Sequence, residues 1–166
     1  MTNPQPSANG GPTSMATPAL EARGVAAGYG PQAVIRDINL TVYPGEVVAL
    51  LGANGAGKTT TLLTLAGELP VLSGEVLMDG EATGAPLHLR ARKGLTFVTE
   101  EKSVFMGMST RDNLRVGGVD IDAALQLFPE LADRINIRGG LLSGGEQQML
   151  TLARALGRKP RVLLAD

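Results

Sequence analysis

The feature that most restricts this chain is an eight-residue stretch, Gly52-Ala53-Asn54-Gly55-Ala56-Gly57-Lys58-Thr59. It matches the pattern G-x-x-x-x-G-K-[ST] in the setting that pattern needs, after an apolar run and at a helix start. Residues 46–51 read Glu-Val-Val-Ala-Leu-Leu, apolar without alternation, as expected of a strand covered on both faces of a parallel sheet. Residues 58–67 carry Leu62, Leu63, Leu65 and Ala66 and predict a helix. Consecutive backbone N–H groups can wrap a phosphate only where side chains do not obstruct, and Gly52, Gly55 and Gly57 clear that path. The helix start adds unsatisfied amides and its dipole. Lys58 then supplies a point charge for the β and γ oxygens, and the Thr59 hydroxyl is placed to ligate Mg²⁺. The plainer alternative is a glycine-rich turn with an exposed lysine.

The rest of the chain alternates strands and helices. Residues 34–42 place Ile35, Ile38, Leu40 and Val42 among polar neighbours, a half-exposed strand, and Pro44-Gly45 signals a turn. Residues 73–80 predict an edge strand bounded by glycines, and 94–98 a short buried one. Helices are expected over 110–115 and 122–134, interrupted by Gly117-Gly118 and Pro129. Ser143-Gly144-Gly145-Glu146 has capping-box spacing, and Met149, Leu152, Ala153 and Leu156 lie beyond it on one helical face until Gly157 and Pro160. Residues 162–165 form a second fully apolar strand, closed by Asp166. Residues 1–18 hold four prolines and no charge, so they are expected to be a disordered tail, with one folded unit over 19–166.

Composition narrows the function classes. Fifteen basic against sixteen acidic residues give a formal net charge of −1, which offers no electrostatic case for nucleic acid. There is no cysteine, which removes disulfides and thiolate metal sites. The longest apolar runs, such as 47–51, are far too short to span a bilayer. His88, the only histidine, and the cluster Arg90, Arg92 and Lys93 are expected on a solvated face, because no aromatic residues interleave the basic ones.

A phosphate loop alone does not separate kinases, GTPases, recombinases and transport ATPases. The segment Leu142-Ser143-Gly144-Gly145-Glu146-Gln147-Gln148 is more selective. A helix cap does not call for two glycines between Ser and Glu, since glycine costs about 1 kcal/mol per helical position. Bare backbone at a positive helix end suits close approach to an anion. This stretch resembles, at every position, the signature sequence of the ATP-binding-cassette family, and the order of motifs from about residue 20 to Asp166 is similar to that family too.

The resemblance implies an α/β fold: a P-loop NTPase (RecA-like) core, an antiparallel β subdomain, and a helical signature subdomain over about 100–157, with the core incomplete at the C-terminus. It implies ATP and Mg²⁺ as cofactors. Nucleotide contacts would come from Tyr29, stacking on adenine, and from Gly52, Ala53, Asn54, Gly55, Ala56, Gly57, Lys58, Thr59 and Thr60. Leu142, Ser143, Gly144, Gly145, Glu146 and Gln147 would act in trans, on nucleotide held by a second ATPase subunit. The Mg²⁺ shell would draw on Thr59, Asp166 (the Walker B aspartate) and Glu100, which stands where the family usually has glutamine. That glutamate, with Lys102, Val104-Phe105, Asn113-Leu114 and Phe128-Pro129-Glu130-Leu131, is similar to ATPases of branched-chain amino-acid and amide importers.

The implied partners are a second ATPase subunit and integral-membrane permease subunits, with no nucleic acid and no direct contact with solute. The implied location is the cytoplasmic face of the plasma membrane. No catalytic residue is assigned, because the family places its glutamate directly after the position of Asp166 and its histidine further on. The expectation is therefore a C-terminally truncated chain that binds nucleotide weakly and hydrolyses little. Two readings stay open beside the importer: a binding-only half-site lending its signature helix to an intact partner, and a family member of DNA repair or translation or another P-loop phosphotransferase.

Overall fold

The computed structural model describes residues 16–99, 101 and 103–166. Most of the expected tail, through residue 15, and Glu100 lie outside the described residues. At the start of the first sheet the Ala19 N–H donates to the Val42 carbonyl at 2.9 Å.

The first sheet is antiparallel, in the order β2-β1-β3-β4, built from β1 (Leu20–Ala27), β2 (Ile35–Val42), β3 (Val71–Met78) and β4 (Glu81–Ala82). Its central strand, β1, had no clear signature in the sequence. A bulge explains this: the β1–β2 register slips between Ala22 and Val25, so the period-two pattern is broken within the strand. Leu20, Ala22, Val25 and Ala27 nevertheless all point into the core. β3 stays near the edge as expected, covered only at Leu77 and Met78 by β4.

Helix α1 (Lys58–Ala66) comes directly after the phosphate loop, and α2 (Leu87–Arg92) leads into β5 (Leu95–Val98). β5 pairs in parallel with β6 (Val162–Ala165), Leu95 opposite Val162 and Val98 opposite Ala165. α1 touches β1, β2, β5 and β6, so one core joins both sheets, with Leu20, Leu65, Val76, Leu95 and Leu164 at its centre.

The run 46–51 departs from expectation, for it forms no strand. The Glu46 N–H closes the Pro44-Gly45 turn on the Tyr43 carbonyl at 3.1 Å, and residues 47–51 then run without ladder partners. Val47 is 94% and Leu51 91% exposed, and only Leu50 packs on the core. A parallel strand exists through neighbours that accept and donate its backbone bonds. Apolar composition cannot supply them, and among the described residues the parallel sheet has only two strands. For the same reason β6 is not fully buried: Val162 and Leu164 face the core, whereas Ala165 is exposed.

Residues 103–157 build a second core. Helices α3 (Thr110–Val116), α4 (Ile121–Leu127) and α5 (Gly144–Leu156) enclose Leu114, Ala124, Leu131, Leu150 and Ala153. Pro129 ends the helical run after α4, and Pro129–Arg134 tightens into a 3-10 turn. α5 is rotated slightly from the expected face. Leu150 and Ala153 are buried, while Met149, Leu152 and Leu156 are half-buried, because α3 and α4 pack on one flank and β5 on the other. No helix among the described residues is long and apolar enough to cross a membrane.

Candidate functional site

The phosphate loop adopts the backbone its glycines permit. Gly55 and Gly57 take φ of 82° and 89°, the left-handed region that favours glycine. A Cβ on Gly57 would lie 2.5 Å from Ile35 Cγ2, so this position is closed to any side chain. Gly57 caps α1 without a side-chain acceptor, and the first intrahelical bond runs from the Thr61 N–H to the Gly57 carbonyl at 2.8 Å. The amides of Lys58, Thr59 and Thr60 thus lack intrahelical partners and lie at the positive end of the helix.

Lys58 Nζ donates to the carbonyls of Gly52 at 2.9 Å and Ala53 at 3.0 Å, which folds the lysine over the loop. An open depression of about 400 Å³ is lined by Val34, Asn54, Gly55, Gly57, Lys58, Thr59, Thr60 and Asp166. The fold therefore brings Asp166, more than a hundred residues away in sequence, to the same depression as Thr59. A Thr hydroxyl and one carboxylate beside free amides suit a hard cation that completes its shell with phosphate and water oxygens. Among the described residues no group of three or more His, Cys, Asp or Glu side chains gathers, at this depression or elsewhere.

Tyr29 is 64% exposed in the connection between β1 and β2 and does not line this depression. Val34, at the far end of that connection, does, and sequence reasoning did not single it out. Asp166 also lines a second cleft of about 190 Å³ with Val98, Thr99, Ala165 and, from α5, Gln148, Thr151 and Leu152. Glu100 lies outside the described residues.

The predicted capping box at the start of α5 is formed. Ser143 Oγ accepts from the Glu146 N–H at 3.3 Å, and Glu146 Oε2 accepts from the Ser143 N–H at 2.7 Å. Glu146 Oε1 also accepts from Arg134 Nε at 2.8 Å. These bonds, the Ser143 amide foremost, hold the Glu146 carboxyl below the usual carboxylate range. Leu142 is buried as an anchor, Gln147 donates to the Gly139 carbonyl at 3.0 Å, and Ser143, Gly144 and Gly145 are exposed. A Cβ on Gly145 would meet nothing within 4 Å. Nothing among the described residues requires that glycine.

The hollow at Ser143 is lined by Arg134, Ile137, Leu141, Leu142, Ser143 and Glu146, and it shares no residue with the depression at Lys58. The two motifs occupy separate surfaces. His88, Arg92 and Lys93 are exposed as expected, but Arg90 is not: it is 2% exposed. Its guanidinium donates to the carbonyls of Leu65 (2.6 Å), Thr64 (3.4 Å), Ala85 (2.7 Å) and Thr83 (3.1 Å), closing the C-terminus of α1. Ala85 and Thr83 lie close by in sequence, but Thr64 and Leu65 are 26 and 25 residues away, so composition around Arg90 could not reveal the role.

A loop-led helix with free amides, a carboxylate lining the same depression as its threonine, and a separate glycine-tipped helix end make up a phosphate-loop α/β module. The chain belongs to the ABC transporter family, whose sequence profile matches residues 35–166. It is 42% identical over 148 residues to the high-affinity branched-chain amino acid transport ATP-binding protein BraG of Pseudomonas aeruginosa, covering 83% of this chain and 64% of that protein. It is 37% identical to the lipopolysaccharide export system ATP-binding protein LptB of Escherichia coli K12, covering 89% and 66%. Among solved structures, an ATP-binding cassette of an ABC transporter shares the fold with a TM-score of 0.77 at 19% identity, covering 88% of this chain and 67% of that one. A bacterial Atm1-family ABC exporter with ATP bound gives 0.76 at 28% identity, over 90% of this chain and 29% of that one. The chain spans about two thirds of the length of the curated relatives it matches.

Proposed function

We propose that this chain is the ATP-binding subunit of an ABC transporter that imports branched-chain amino acids or related amides. The observation that carries the reading is the loop before α1, where left-handed glycines, uncapped amides, Lys58, Thr59 and Asp166 converge on one depression. ATP would lay its phosphates against the amides of 57–60, with Lys58 leaving its carbonyl partners for the β and γ oxygens. Mg²⁺ would be held by Thr59 and Asp166, with Glu100 as a further oxygen ligand, and would neutralise phosphate charge. Tyr29 is exposed and free to stack on adenine. The likeness to branched-chain transport proteins supports the solute class.

Because the Ser143 helix end lies apart from the depression, the second half of the site comes from a second subunit. Two such subunits would close head to tail around ATP, Ser143 and Gly145 of each stabilising γ-phosphate charge on the other. Residues 19–166 would act as one nucleotide-binding unit with the 103–157 helices as its moving part. That motion would pass to a membrane permease from the cytoplasmic side through the segment leading to Arg115. Calorimetry with ATP and Mg²⁺ tests the reading. Lys58→Ala removes a charge-assisted contact and should weaken ATP binding by about 10- to 100-fold. Equal affinity in the variant and the parent chain would sink it.

A further inference from the structure

The segment beyond β5 presents two large apolar side chains to solvent, Phe105 at 46% and Met106 at 49% exposure. Their backbone is held rigidly. Asn113, fully buried on α3, accepts from the Phe105 N–H at 2.8 Å. The same side chain donates to the carbonyls of Phe105 (3.0 Å), Met108 (3.3 Å) and Ser109 (3.0 Å). α3 thereby sets where the loop runs.

A second hold comes from the signature helix. Arg154, near the C-terminal end of α5, stacks its guanidinium over the Phe105 ring, Cζ lying 5.0 Å from the centroid. Its Nη1 donates to the Ser103 carbonyl. The stem passes Gly117, where a Cβ would come within 3.4 Å of both Arg154 Cγ and Nε, so the C-cap of α3 leaves room for it. Arg154 Nε is buried with no hydrogen-bond partner among the described residues. Local folding energy therefore does not explain this arginine well, since a methionine would fill the space without an orphaned N–H. What Arg154 adds is a link between α5 and Phe105; Met106 has its own, with Gln147 Nε2 of α5 donating to its Sδ at 3.8 Å.

We propose that Arg154 is a positioning residue that ties Phe105, beside Met106 on the same exposed patch, to the signature helix, so that displacement of α5 reaches this surface without being absorbed by the loop. This rests on the reading that the segment transmits motion to a partner. A guanidinium suits the task because its plane stacks on the ring while an edge holds a carbonyl.

Hydrogen exchange on the full chain tests the link, comparing the parent with Arg154→Met, Arg154→Lys, Phe105→Leu and the Arg154→Met/Phe105→Leu pair. Arg154→Met should raise exchange of the Phe105 amide, which donates to Asn113, at least tenfold while leaving α3, α4 and the rest of α5 unchanged. Arg154→Lys, which keeps the cation over the ring, should recover part of that protection. In the Phe105→Leu background, Arg154→Met should add much less. Unchanged exchange of the Phe105 amide overturns the proposal. So does a uniform rise across 110–156, which would make Arg154 a packing residue only. Protection of 52–60 by ATP and Mg²⁺ in the parent is read in the same experiment. Its absence would count against the nucleotide reading and leave the Arg154 result standing.

Discussion

Burying a guanidinium costs several kcal/mol unless its N–H groups find acceptors, and Arg90 meets that condition with four backbone carbonyls. Two of these belong to the last turn of α1, Leu65 and Thr64 (which also accepts from the Gly67 N–H at 3.1 Å), so the cation also faces the negative end of the helix. Burial lowers the Arg90 pKa from its ordinary value, but a guanidinium stays charged at neutral pH. Arg90→Met should therefore cost at least about 2 kcal/mol, because it leaves buried acceptors unmatched. On thermal unfolding this is a drop of roughly 4–8 °C. Lysine, with no fork to span the four carbonyls, should recover little. A melting temperature within a degree of the parent's would show that water replaces the guanidinium at no cost.

At the scale of elements, the start of α5 has a structural role that accounts for some of its residues and not for others. The capping box accounts for Ser143 and Glu146 without any ligand. It does not account for Gly145, whose Cβ position is open. Gly145→Ala should stabilise α5 by up to about 1 kcal/mol through helix propensity, while weakening ATP-dependent association of two chains, as read by light scattering. If association is unchanged, the glycine is not there for close approach.

Glu146 adds a pH dependence to the same helix end. Its folded pKa is lowered by the Ser143 amide, then by the Arg134 and Ser143 side chains, so its contribution is fully present above the unfolded value. That contribution is lost as pH falls from about 4.5 through the lowered folded value. Helicity measured by circular dichroism should show an acid transition in this window that Glu146→Gln removes. An identical titration in both proteins would assign the transition to other carboxylates.

The whole molecule holds two cores, one under the antiparallel sheet and one among the helices, with β5 and α5 in contact between them. Its weak point is the run 46–51, where Val47 and Leu51 project into solvent. Unpaired apolar backbone of this kind favours association through strand edges. Val47→Thr with Leu51→Gln should lower dye binding to exposed apolar surface and slow aggregation. The change in stability should stay within about 0.5 kcal/mol, because neither side chain is buried. A large loss of stability would mean that 46–51 is a paired strand in solution.

What the sequence determined by itself is whatever depends on residues close together along the chain. The glycine pattern of 52–59 set the left-handed turns, Ser143 and Glu146 set the cap, and Pro129 set the end of a helix, because each needs only its immediate neighbours. β1 was obscured by a bulge that breaks its alternation. The expected strand at 46–51 failed because a strand also needs partners, and composition does not say whether they are there. Tertiary structure alone decided that Asp166 lines one depression with Thr59, that Arg90 turns inward to Leu65, and that Arg154 reaches Phe105. Each of these joins residues 25 or more positions apart, so its geometry exists only once the sheets and helices have packed.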